Sequence, residues 1–228
     1  MNKFVSFLAY CIVPVALLVL QACSSHQKDL QAQPRILEHV ASHYPNLAFL
    51  IEMNGGKCAF DSKGYMGARP VVWKEVAGAK MNSVDGVMDA LDENSFLVVE
   101  KMQPDVAVIK WKDISPNILG AHLDHIDFPE DDRYSAHRSM EVILSDKSVQ
   151  QAAKIANMKM GLQFSSPAGG LVKDGPSLDG RIDDMDVERA MLEVLRVFRG
   201  SIVYVECVKP DGRTMFNAEY FPPGESIL

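Results

Sequence analysis

The sequence predicts an α+β fold made of two tandem small units, each with the order helix, strand, strand, helix, strand, strand and a small sheet packed on two helices. Three observations predict it. Apolar residues recur at helical spacing in several stretches, and strand-length apolar runs bounded by turn residues separate them. That order of stretches runs through twice. Finally, Val84, Val87, Met88 and Leu91 superpose without gaps on Val187, Ala190, Met191 and Val194, and Val99-Glu100 matches Val205-Glu206 after a three-residue offset. A single undivided α+β domain is the alternative.

The elements follow in order. Pro34 suits the first turn of a helix, with Ile36, Leu37, Val40, Ala41 and Tyr44 on its apolar face and Pro45-Asn46 as its stop. Leu47 to Met53 is a strand-length run, and a further extended stretch falls around Pro70 to Val76. Ser83 caps a second helix, and strands are expected at Phe96 to Val99 and Val106 to Trp111 around the turn Gln103-Pro104-Asp105. In the second half, Ser145-Asp146 caps a helix bearing Val149, Ala152, Ala153 and Ala156. Gly161 to Ser165 reads as a short strand and Ser177 to Asp183 as an extended piece. An amphipathic helix through Val187 and Phe198 follows, then strands Ile202 to Val208 and Thr214 to Phe221, turned at Lys209-Pro210-Asp211-Gly212. The units span 34–112 and 144–222, joined by an acidic linker, 113–143, and followed by a tail, 223–228.

Met1-Asn-Lys, the apolar run Phe4 to Leu20 and a small residue before a cysteine form a secretory signal. The segment resembles the bacterial lipobox, with Leu20 at −3, Ala22 at −1, Cys23 as the lipidated residue, and Gln21 where that pattern prefers a small or apolar side chain. The resemblance implies cleavage after a 1–22 signal peptide and a lipidated tether at 23–33. An uncleaved membrane anchor is the alternative, since the run approaches spanning length. Either way, residues 24–228 lie outside the cytoplasm. Ser24 after the cysteine points, by the same resemblance, to the outer membrane facing the periplasm. Acyl chains contribute about 0.8 kcal/mol per buried CH₂ group, enough for stable anchoring.

The formal charge of −7 and the lack of a Lys/Arg cluster argue against nucleic-acid binding. Cys11 leaves with the signal and Cys23 carries lipid, which leaves Cys58 and Cys207. In an oxidising compartment these are either a disulfide or two buried thiols acting as small hydrophobes.

The piece Met81-Asn-Ser-Val-Asp-Gly-Val-Met-Asp-Ala-Leu, running into Phe96-Leu-Val-Val-Glu, recurs as Ile182-Asp-Asp-Met-Asp-Val-Glu-Arg-Ala-Met-Leu, running into Ser201-Ile-Val-Tyr-Val-Glu. This pattern resembles the short N-terminal (STN-like) domain shared by bacterial secretins and TonB-dependent receptors. The resemblance implies a periplasmic docking module, accessory to a secretion or transport machine. A sheet edge accepts a partner's strand by main-chain pairing, and the edges expected here are Val106 to Trp111 and Thr214 to Phe221. Trp111, Phe216 and Tyr220 are then candidate contact anchors, since aromatic side chains dominate hot spots.

Signals for chemistry are sparse. His122 and His125, in His122-Leu-Asp-His-Ile-Asp127 ahead of Glu130-Asp-Asp132, are weak metal candidates, because neither zinc nor calcium spacing is met. No G-x-S-x-G, H-E-x-x-H or S-x-x-K pattern occurs, and no phosphate-loop lysine follows Gly169-Gly170. No cofactor and no enzymatic activity are expected. The reading is a lipid-anchored protein that contacts a protein partner of an envelope complex. The alternative is a ligand- or glycan-binding lipoprotein using a cleft between the units.

Overall fold

Alternating apolar runs set the architecture of the computed structural model, which describes residues 40, 43–57, 83–91, 97–112, 115–161, 175–209 and 211–223. The strands are β1 (Ala48–Lys57), β2 (Leu97–Gln103), β3 (Val106–Trp111), β4 (His122–Asp127), β5 (Met158–Met160), β6 (Arg181–Asp186), β7 (Ser201–Val208) and β8 (Thr214–Phe221). The helices are α1 (Val84–Ala90), α2 (Ala136–Leu144), α3 (Lys147–Ile155) and α4 (Val187–Phe198). Side chains that compete for backbone hydrogen bonds start them: Ser83 accepts from the Gly86 N–H, Asp146 from Ser148 and Asp186 from Arg189. Ahead of β1, the Tyr44 N–H donates to the Val40 carbonyl at 2.9 Å, a helical bond.

Six strands form one sheet in the order β2-β3-β1-β7-β8-β5, and β4 and β6 form a separate two-stranded ribbon. β2 runs antiparallel to β3, and β3, β1 and β7 are mutually parallel. β8 runs antiparallel to β7, and β5 parallel to β8. The fold is therefore α+β, but the halves do not carry separate small sheets: β1 of the first half hydrogen-bonds β7 of the second, from Phe49↔Ser201 onward.

The period-2 pattern divides the core between two faces. One face carries Ala48, Leu50, Val106, Val108, Ile202, Tyr204, Phe216 and Ala218, covered by α2, α3, α4 and the ribbon. The other carries Phe49, Ile51, Leu97, Val99, Ala107, Ile109 and Val203, covered by α1, Val40 and Tyr44.

Several expectations change. Residues expected as a solvated linker contain β4 and all but the last residue of α2, and Leu123, Ile126, Phe128, Met140 and Ile143 sit in the core. Val106–Trp111 and Thr214–Phe221 are interior strands; β2 and β5 end the order of described strands. A short strand falls at Met158–Met160, while the expected one at 161–165 lies, beyond Gly161, outside the described residues. The extended piece before α4 pairs with β4 and not with the main sheet, because its exposed acids and buried Ile182 suit a one-sided ribbon. The expected stretch at 70–76 lies outside the described residues.

Candidate functional site

Carboxyl groups within apolar strands are costly to bury. β1 carries one at Glu52, 1% exposed, and β7 carries one at Glu206, 5% exposed. Both side chains point to the face that α4 covers. Register puts Tyr204 beside Glu52 on β7. On the other flank β1 pairs with β3 through Ile51↔Ile109, which brings Lys110 next in line. The Lys110 ammonium in turn pairs with Glu100 of β2 at 2.6 Å.

Three parallel strands end here. α4 joins β7 through only Arg199 and Gly200, so the helix's first turn lies at the far, C-terminal end of β7. The loop before β4 fastens that turn: the Val187 and Glu188 N–H groups donate to the Ala121 and Leu119 carbonyls at 3.1 and 3.0 Å. Glu188 thereby joins Glu52, Glu206, Lys110 and Glu100 in one electrostatic cluster.

The two buried glutamates are treated very differently. Glu206 Oε1 accepts from the Tyr204 hydroxyl at 2.6 Å and from the Ile118 N–H at 2.9 Å, and Oε2 accepts from the Asn117 amide at 2.8 Å. Glu52 has no hydrogen-bond partner for either oxygen among the described residues. Burial pushes its carboxyl up to about 7, Glu188, Glu100 and Glu206 add to the rise, and Lys110 opposes it. Burial also raises Glu188. For Lys110, burial works against the charge, but the Glu100 hydrogen bond and the neighbouring carboxylates outweigh it and raise the ammonium. Tyr204 is raised by burial and by the Glu206 charge, so it acts as a hydrogen-bond donor. The arrangement can hold a proton on Glu52 at neutral pH and release it just above.

Two of the residues expected to mediate contact lie in the core. Phe216 is buried, and so is Tyr220, whose hydroxyl donates to the Phe198 carbonyl at 3.0 Å and whose ring meets His137 edge-on. Neither is free to anchor a partner. Trp111 is half-buried against the α1-side core. His122 and His125 are exposed on β4; His122 Nε2 lies 3.4 Å from Asp124 and 3.5 Å from Asp184. Among the described residues no group of three or more His, Cys, Asp or Glu side chains is placed to hold a metal ion. Cys207 is disulfide-bonded. Its expected partner Cys58 and the lipidation residue Cys23 lie outside the described residues, while register pairs Lys57 with Val208, one residue from each cysteine. No helix among the described residues is long and apolar enough to cross a membrane.

Glu52 and Glu206 were not among the candidates taken from sequence, although each left a signal: a lone acid inside a run of apolar strand residues, Ala48 to Met53 and Ile202 to Val208. Comparison with protein-family models, with curated proteins and with solved structures finds no match to this chain.

Proposed function

We propose that this chain is an exported, lipid-anchored docking module of a bacterial cell envelope, built from two related β-α-β-β units and accessory to a secretion or transport machine. The observation that carries the reading is the doubled topology. The first half places its strands in the order β2-β3-β1 and the second in the order β7-β8-β5, each time second, third, first. Each has an antiparallel hairpin whose last strand lies parallel to the unit's first. A half-turn about an axis in the sheet, perpendicular to the strands, plus a step of three strands carries one set onto the other. It reverses strand direction and exchanges faces, which accounts for α1 and α4 lying on opposite sides.

Val84 and Val187 each open a helix, and Val99-Glu100 and Val205-Glu206 lie on the equivalent strands β2 and β7, but the three-residue offset changes the face: Val99 faces its own helix α1, whereas Val205 faces away from α4. This β-α-β-β order is the one that the resemblance to the short N-terminal domain implies. The disulfide at Cys207 fits an oxidising compartment and hence export.

With the interior strands excluded as edges, the surface best suited to a partner is the β4–β6 ribbon. It buries Leu123, Ile126 and Ile182 and exposes Asp124, Asp127, Asp183 and Asp184. Such a surface favours a basic partner and a salt-dependent association. Affinity capture from solubilised envelopes tests the reading, comparing wild type with the charge reversals Asp124→Lys and Asp183→Lys. One component of a secretion or transport complex, recovered in stoichiometric amount by the wild type and lost on reversal, is expected. Equal recovery by both, or no stoichiometric component, contradicts it.

The second reading, a ligand or glycan held between the halves, is disfavoured by the β1–β7 ladder that fills the junction.

A further inference from the structure

The seam where the halves join is a backbone ladder, and the two buried carboxyl side chains of the main sheet flank it, Glu52 on β1 and Glu206 on β7. We propose that Glu52 is a proton-operated latch on this seam. Protonated, it stays packed beneath α4 with β1 and β7 paired; ionised, it sets an unpartnered anion against Glu188 and Glu206 and frees the Cys207 end of the ladder to open.

Geometry carries the inference. A buried acid with no partner costs least when neutral, whereas its anion has to be buried without a hydrogen bond. Every element packed against it presents charge or a titrating group: Lys110 from β3, Glu100 from β2, Tyr204 and Glu206 from β7, and Glu188 from the first turn of α4. Lys110 is the single cation among them, and it already pairs with Glu100. Glu206 cannot relieve the crowding by turning away, because Tyr204, Ile118 and Asn117 hold both of its oxygens.

The ladder is also irregular toward this end. β1–β7 pairing is regular from Phe49 to Asn54, through Glu52, and shifts register only between Asn54 and Lys57. An irregular ladder end opens more easily than a regular middle. The disulfide-bonded Cys207 lies at the same end.

The sign follows from linkage. Raising Glu52 from its ordinary 4.5 to about 7 means that the closed seam binds a proton which the opened seam releases between those values. Closure is therefore favoured at low pH and weakens as pH rises toward 7, after which the loss is complete. Between pH 5.5 and 8.5 this amounts to about a 30-fold change in the opening equilibrium.

Amide hydrogen exchange on the full-length chain in detergent, corrected for the intrinsic pH dependence of exchange, tests it. In the wild type, protection of the β1 and β7 amides should fall by about 30-fold from pH 5.5 to 8.5 relative to β2 and β3. Glu52→Gln, which keeps the shape of the neutral acid, should remove that fall. Lys110→Met should move its midpoint to higher pH, a change that loss of packing alone would not produce. Unchanged relative protection in the wild type overturns the proposal. So does an identical fall in Glu52→Gln, or a midpoint unmoved in Lys110→Met.

Discussion

Replacing Glu206 separates its role as a hydrogen-bond hub from that of a merely buried charge. Glu206→Ala removes the acceptor for the Tyr204 hydroxyl and for the Ile118 N–H, both buried, and for the more exposed Asn117 amide. Two buried donors left unpaired cost about 1–3 kcal/mol each. Glu206 is the least of the charges acting on Glu52, which holds its proton near neutral pH, so little repulsion is relieved and the net loss should be about 3 kcal/mol. Glu206→Gln keeps one acceptor oxygen for Tyr204 and Ile118, and Asn117 can turn its amide to present oxygen, so its loss should stay below about 1 kcal/mol. Urea unfolding of the full-length chain in detergent, with the disulfide intact and tryptophan fluorescence as the signal, measures both. With a slope near 2 kcal/mol per molar, Glu206→Ala should lower the midpoint by about 1.5 M and Glu206→Gln by less than about 0.5 M. Equal midpoints for the two variants would refute the hub argument, as would an alanine variant within about 1 kcal/mol of wild type.

Gly200 has φ +78°, and a Cβ there would lie 2.2 Å from the Phe221 carbonyl oxygen. Gly200→Ala should therefore destabilise by more than about 2 kcal/mol in the same unfolding assay. Cys207→Ser should cost about 2–4 kcal/mol, and a reductant should lower the wild-type midpoint toward that of the variant without moving the variant itself. Ser135 caps α2 by accepting from the Arg138 N–H, so Ser135→Ala should cost about 1 kcal/mol by thermal unfolding.

Long periodic stretches were legible in the sequence. α4, β3, β7, β8 and the caps at Ser83 and Asp146 fall where apolar spacing and capping chemistry put them. Val84 and Val187 are each the first residue of a helix. α2 was missed because its flanks are acidic and rich in histidine, yet Ser135 with Ala136, Met140, Ile143 and Leu144 already shows a cap and helical spacing. Strand order was not legible. Local pattern marks a strand without naming its neighbour, so Val106–Trp111 and Thr214–Phe221 passed for edges when each is flanked on both sides. The same ignorance of pairing hid the seam, and with it the meaning of Glu52: whether a lone acid in a strand faces water or core depends on which strands lie beside it.

Lipid attachment at Cys23 is the feature on which the envelope reading depends most directly. Metabolic labelling with a clickable fatty-acid analogue, followed by membrane fractionation, compares the wild-type chain with Cys23→Ala. A lipid anchor at Cys23 gives a labelled wild type that sediments with membranes and an unlabelled Cys23→Ala chain. A wild type without label, or a Cys23→Ala chain labelled equally, would contradict it.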